Sequence, residues 1–429
     1  MEIFNKAKTF LSNILASIAL KRRVIMKDKI KTKILSPFLY FLKSESSSGI
    51  ILLICAIAAI MIANSSFSGG YEHIFHTNIT IGYGVFSLSM SVLHWINDGL
   101  MAIFFLVVGM EIKREVVFGE LKSFKRTILP ISAAIGGMIV PAIIYALFNY
   151  KEPTITGWGI PMATDIAFAL GMLSLVAKNA PKGIVVFLTA LAIVDDLGAI
   201  IVIAIFYNSQ ISWIALLLGL IVFATLILAN KFKIKYTSIY IILGIILWIC
   251  LLKSGIHATI AGVLLGMSLP IGENIHKFKT SILYKLEHIL TPWSSFVIMP
   301  IFAFANAGII INTDNFSGSL FSPASLGIIF GLFVGKQIGI FGTSFILIKL
   351  KIAKFPSNVT KRHLYGASVF GGIGFTMSIF VSSLSFADAN ILSEAKMCIM
   401  IASILAATYG TIVFKFINFK NEKLNYKQS

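Results

Sequence analysis

Three aspartates and a lysine stand inside long apolar stretches: Asp165 in GWGIPMATDIAFALG (157–171), the adjacent Asp195 and Asp196 in ALAIVDDLGAI (190–200), and Lys336 in GKQIGI (335–340). Neighbouring residues on a helix point about 100° apart. One aspartate of the pair can therefore face Lys336 while the other faces a cavity. Two carboxylates this close repel when both are ionised, so the pair holds a proton or a cation but not easily both. An exchanger needs that competition. If one monovalent cation expels two protons, the cycle moves net charge and a membrane voltage can drive it. Carboxylates, hydroxyls and backbone carbonyls suit hard cations. No His or Cys cluster accompanies the pair, which disfavours a transition metal and leaves divalent ions open. A buried Asp–Lys pair that merely fixes helix register would account for one aspartate, not three.

The elements that hold these residues are membrane spans. The chain has 429 residues, 57% hydrophobic and 13% charged, against about 25% charged in soluble domains. Lipid admits only helices and closed barrels, and long unbroken apolar runs favour helices over alternating barrel strands. Twelve segments qualify, at roughly 48–66, 94–118, 128–149, 156–177, 183–207, 211–230, 236–252, 254–271, 288–311, 324–349, 361–386 and 393–416. Lys336 is 12 residues from one end of its segment and 13 from the other, about 18 Å at 1.5 Å per residue. A charge at that depth costs at least ~2.5–3.5 kcal/mol, so these groups must pair, lose charge or face water.

The basic residues set the orientation. Of the 36 Lys and Arg, 32 fall on alternate sides of the twelve segments, together with both termini; Lys151, Lys253 and Lys396 fall on the other side, and Lys336 is mid-helix. This asymmetry places both termini in the cytoplasm. It also argues against nucleic acid as the meaning of the +18 net charge, since the basic residues form no single patch. Cys55, Cys250 and Cys398 are odd in number and widely spaced, unlike a disulfide framework. Residues 1–35 read as a basic cytoplasmic extension lying on anionic lipid, 36–416 as the membrane domain, and 417–429 as a cytoplasmic tail. Between the first two spans, Ile79, Ile81, Phe86, Leu88 and Met90 alternate with Asn78, Thr80, Ser87 and Ser89 around Gly82 and Gly84. That pattern predicts an outer hairpin over about 76–91. Marginal alone, it suits edge-to-edge pairing with a second copy.

Two spans look broken. Pro161 lies four residues before Asp165, with Gly157 and Gly159 ahead of it, and GGIGFTMSIF (371–380) sets three glycines before Thr376. Proline removes a helix hydrogen bond, and broken helices aim partial charges at one another. Asp165 near the positive ends and Lys336 near the negative ends would offset them. Gly327, Gly331, Gly335 and Gly339 repeat every four residues beside Lys336 and read as a helix contact.

These residues resemble the NhaA sodium/proton antiporters. The resemblance runs from about Ile34 to Phe416, through HWINDGLMAIFFLVVGMEIKRE (94–115), the Asp165 and Asp195–Asp196 motifs, SGIHATIAG (254–262), LEHILTPW (286–293), IFAFANAG (301–308), GKQIGI and GGIGFTMSIF. The family is itself one of the systems on which the inverted-repeat rule for transporters is founded. The resemblance implies an all-α polytopic membrane protein with twelve transmembrane helices, inverted repeats, and interrupted fourth and eleventh helices that cross. It implies that Asp195 and Asp196 bind sodium and protons, that Lys336 pairs with Asp195, and that Asp165 sits at the crossing with Thr164 beside it as a candidate ligand. It further implies a homodimer in the bacterial inner membrane that expels sodium or lithium for a larger number of protons, with no cofactor. The family's pH-sensing cluster maps to Glu111, Arg114, Glu115, Glu287 and His288, with His257 as a further pH-linked histidine. Glu111 and Glu115 share a helix face that Arg114 bridges; a solvated helix end with ordinary ion pairs is the plainer reading. A proton-coupled transporter of another small solute is the alternative, and it calls for a roomier polar cavity. An intramembrane aspartyl protease would leave the lysine without a use.

Overall fold

The computed structural model describes residues 45–426, apart from 84–86, 120, 121, 123, 178, 179, 209, 210, 311–317 and 319. The basic extension 1–35 lies outside the described residues. The chain is mostly helical, with one two-stranded sheet among the described residues. Eight helices are long and apolar enough to cross a membrane, or up to eleven if each of three bent helix pairs counts as one span. The eight are Val92–Val117, Thr127–Phe148, Lys182–Phe206, Trp213–Lys231, Thr237–Ser254, Ile282–Asn306, Pro323–Lys349 and Ala389–Ile417. The bent pairs are Ser47–Ala63 with Ser68–His76 (113°), Pro153–Met162 with Ile166–Val176 (44°), and Lys361–Phe370 with Phe375–Ser385 (45°).

Eleven of the twelve predicted segments correspond to these spans and pairs. The eighth differs. Gly255 adopts φ 80° and closes the Thr237–Ser254 helix, a left-handed cap that glycine takes without steric cost. Helix resumes only over Ile260–Ser268, nine residues, or about 13 Å where a bilayer core needs about 30 Å. This short helix is wedged against Met101–Val117. A Cβ on Gly109 would stand 2.7 Å from the Val263 carbonyl oxygen, and one on Gly266 would stand 2.7 Å from that of Leu106. Lys113 Nζ then donates to the carbonyls of Met267 (2.7 Å) and Leu269 (2.6 Å), satisfying acceptors that a helix end leaves open.

The glycine stripe beside Lys336 is a helix contact. A Cβ on Gly335 would meet Pro141 at 2.9 Å, and one on Gly339 would collide with the Gly136 carbonyl oxygen. Small residues here let Pro323–Lys349 lie directly on Phe124–Phe148. A π-helical turn over Gly331–Gly335 immediately precedes Lys336, a local widening that often accompanies functional positions. The most buried of the eight long spans is Lys182–Phe206, which carries the aspartate pair.

The outer hairpin has Asn78–Ile81 antiparallel to Leu88–Ser91. Its register pairs Ile79 with Met90 and Ile81 with Leu88, so apolar side chains share one face. On the other face the Thr80 hydroxyl donates to Ser89 Oγ at 2.9 Å. Trp95 Nε1 donates to the Ile79 carbonyl (3.1 Å), tying the hairpin to the following span.

Candidate ion-binding site

The two bent pairs with small angles meet at Asp165. Pro153–Met162 is a 3₁₀ stretch that ends in extended backbone at Ala163, the break that Pro161 and its flanking glycines predict. Across this gap the Asp165 N–H donates to the Ile373 carbonyl (2.7 Å) and the Thr164 hydroxyl to the Gly371 carbonyl (2.9 Å). The Asp165 carboxylate accepts from the Phe168 N–H (2.9 Å), from the Thr376 N–H (3.2 Å), and from the Thr376 hydroxyl. It therefore caps two helices at once, its own Ile166–Val176 and the opposing Phe375–Ser385. Both N-termini present unsatisfied N–H groups and partial positive charge, which a carboxylate offsets.

Lys336 and Asp195 form the second unit. Lys336 Nζ lies 2.7 Å from Asp195 Oδ2, with the two side chains 0% and 1% exposed. The lysine thus spends its hydrogen bond on a carboxylate, while the Gly371 carbonyl where the bent pairs meet is taken by Thr164. Asp195 Oδ1 is buried with no hydrogen-bond donor. Asp196, on the adjacent face of the same helix, takes no hydrogen bond or ion pair among the described residues. It lines a cavity of about 380 Å³ together with Asp165, Glu111, Thr291, Ser294 and Ser295. The pair is split as helix geometry requires, one acid to the lysine and one to open space.

The cluster residues divide. Arg114 pairs with Glu287 through Nη1 and with Glu115 at 3.3 Å through Nη2. Glu111, one turn earlier, reaches the cavity that holds Asp196. His288 is exposed and packs its ring against Tyr284, 5.9 Å between centroids, so it stands apart from this cluster. His257 is farther away, its Nε2 against the Tyr207 carbonyl, in a separate pocket with Thr156, Asn208 and Ser385. No group of three or more His, Cys, Asp or Glu suited to a resident metal occurs among the described residues.

Sequence reasoning did not single out Thr376 as a partner of Asp165, nor Thr291 and Ser294 as cavity lining. Hydroxyl residues are common in apolar helices, where they bond back to their own backbone, so type and spacing alone do not mark these three.

Comparison with known proteins identifies the family. The family described as Na+/H+ antiporter 1 matches residues 40–414. The chain is 74% identical to Na(+)/H(+) antiporter NhaA 1 of Clostridium beijerinckii, over 93% of this chain and 100% of that protein. It is 48% identical to Na(+)/H(+) antiporter NhaA of Vibrio cholerae, over 86% of this chain and 95% of that protein. With Na(+)/H(+) antiporter NhaA 2 of Campylobacter jejuni it shares 46% identity, over 87% and 97%. The chain belongs to the NhaA family of sodium/proton antiporters.

Proposed function

We propose that this chain exchanges cytoplasmic sodium or lithium for external protons across the bacterial inner membrane, electrogenically and under control of pH. The observation that carries the reading is the split aspartate pair: Asp195 held by Lys336 with one oxygen left without a donor, and Asp196 free at a cavity. A sodium ion that bridges these carboxylates, with Thr164 as a further oxygen ligand, competes with protons for the same charges and with Lys336 for Asp195. Loading the cation displaces protons, and loading protons displaces the cation. When two protons exchange for one sodium, each cycle moves one net charge, so membrane voltage assists export. Lys336 and Asp165 compensate charge, the first at the pair and the second at the crossed helix ends.

The fold belongs to this reading. Twelve membrane passages with inverted repeats count the short Ile260–Ser268 helix and its preceding turn as the eighth. The bent pairs Pro153–Met162 with Ile166–Val176 and Lys361–Phe370 with Phe375–Ser385 are the interrupted fourth and eleventh. Both termini are cytoplasmic, which puts Glu111, Arg114, Glu115 and Glu287 at the inner mouth of the Asp196 cavity, where their protonation controls access. His288 borders that mouth and His257 acts from the outer side. The exposed hairpin edge pairs two copies into a homodimer in the lipid.

Inside-out vesicles carrying a pH-sensitive dye test the proposal. Sodium and lithium added outside dissipate a preformed proton gradient, potassium does not, and the response varies with pH. Absence of sodium-driven proton flux at every pH, or an equal response to potassium, overturns it.

A further inference from the structure

The polar pocket at the end of the bundle away from Glu111 is organised around one phenol. Tyr207 follows the Lys182–Phe206 helix and is 9% exposed. Its hydroxyl donates to the Thr156 carbonyl (2.8 Å) and accepts the Gly159 N–H (3.0 Å). Thr156 in turn donates its own hydroxyl to the carbonyl of Ser385 (3.4 Å), the last residue of Phe375–Ser385. The backbone carbonyl of Tyr207 receives His257 Nε2, and Trp158 stacks on the ring with 6.4 Å between centroids. Tyr207 thus ties its hydroxyl to the Pro153–Met162 stretch and its backbone carbonyl to the turn before Ile260–Ser268, while Thr156 carries the link on to Phe375–Ser385. Gly159 permits the approach, because a Cβ there would stand 2.6 Å from the Tyr207 hydroxyl. The pocket beside this knot measures about 440 Å³ and is distinct from the cavity of Asp196.

We propose that Tyr207 is a positioning residue that latches shut the route from this pocket to the aspartate pair, and that its hydroxyl releases Thr156 and Gly159 whenever the pair is exposed on this side. Two features argue for a latch over mere packing. The groups it holds are backbone atoms of a ten-residue 3₁₀ stretch, whose own hydrogen-bond geometry is poor over such a length, so closure depends on the phenol. The groups also belong to the outer half of a bent pair, an element that can separate from its inner half at the break near Ala163. The latch rests on the exchange reading above only in assuming that the site opens to one side at a time.

Ser382 provides the reporter. It is fully buried, one residue inward from Ser383, which lines the pocket. In the full chain with Cys55, Cys250 and Cys398 replaced by alanine, Ser382→Cys is challenged with a membrane-impermeant maleimide in right-side-out vesicles. Tyr207→Phe keeps the ring and removes both hydroxyl bonds. It is expected to speed modification roughly five- to thirtyfold, the population shift expected when one or two ordinary hydrogen bonds are lost. Tyr240→Phe removes another tyrosine hydroxyl bond, to the Ile234 carbonyl, and is expected to leave the rate unchanged. Equal rates in Tyr207→Phe and its parent, or equal acceleration in Tyr240→Phe, overturn the latch. A parent that shows no sodium-driven proton flux overturns the exchange reading instead, while the maleimide rates still decide the latch.

Discussion

Lys336→Met tests whether the buried ion pair holds the helices together. Methionine keeps the length of the stem, so packing against the Phe124–Phe148 helix is largely preserved and the charge alone is lost. In the native protein Asp195 has one donor, the Lys336 ammonium at 2.7 Å, and its other oxygen has none. Removing the lysine strips this fully buried carboxylate of its ionic partner and of its 2.7 Å hydrogen bond. Breaking a buried pair from one side costs about 3–5 kcal/mol, in line with the ~2.5–3.5 kcal/mol for placing a lone charge at the bilayer centre. The upper end does not apply, because Asp195 can take a proton and the neighbouring cavity admits water, so about 2–4 kcal/mol is expected. The double variant Asp195→Asn with Lys336→Met leaves no buried charge at this pair and should recover most of that loss, since apolar or neutral replacements of buried pairs are often near neutral. Melting temperature in one detergent, compared across parent, single and double variants, reads both numbers. A single variant as stable as the parent, or a double variant no better than the single, refutes the account.

Asp196→Asn is expected to abolish sodium-driven proton flux while the purified protein melts as the parent does, because Asp196 makes no hydrogen bond that the fold depends on; residual flux in vesicles would contradict this. Thr376→Val keeps the shape but removes a hydroxyl donor from the buried Asp165 carboxylate, a charge-assisted bond worth about 1.5–3 kcal/mol, and the loss should appear as a lower melting temperature. Glu273 is held below the usual carboxylate range by Lys233 and Lys277, at 3.1 and 3.2 Å. Any stability from it is present above its unfolded titration range and disappears as pH falls through the folded one. It is fully exposed, so Glu273→Gln should leave the melting temperature at neutral pH where it was. Deleting 78–89 should convert dimers to monomers in mild detergent and leave exchange intact; dimers surviving the deletion would remove the hairpin from the interface.

The sequence made the charged centre legible because apolar runs expose every exception. Asp165, Asp195, Asp196 and Lys336 stand out against lipid-soluble neighbours, and helix periodicity alone says that the adjacent pair must diverge. The break at Pro161 was legible for the same reason, since proline and glycine act through the backbone. The short Ile260–Ser268 helix was not. Its apolar run is long enough to span, and only the left-handed turn at Gly255 and the following residues convert part of it to loop. Nor was Tyr207, whose hydroxyl draws its partners from backbone groups about 50 residues away. Side-chain contacts to distant backbone carry no signature in residue type. The Arg114 cluster lies between these cases. Spacing brings Glu111, Arg114 and Glu115 together on one helix, but which of Glu287 and His288 faces them is settled by the rotation of a second helix. The buried acid wins that place and the histidine turns outward.

The three buried acids differ most in how many donors they already hold, and this orders their parts in the proposed exchange. Asp165 receives three hydrogen bonds from two helix N-termini. Its lone pairs are largely committed, and drawing it toward a cation would uncap both helices together. Asp195 receives one, from a lysine that a cation of like charge would have to displace. Asp196 receives none among the described residues and faces the cavity. In the proposed exchange, an arriving sodium ion would meet Asp196 first, gain Asp195 only by freeing Lys336, and leave Asp165 in place. On that proposal, proton release is coupled to cation entry through the middle step, because the proton and the cation compete for the carboxylate that Lys336 gives up.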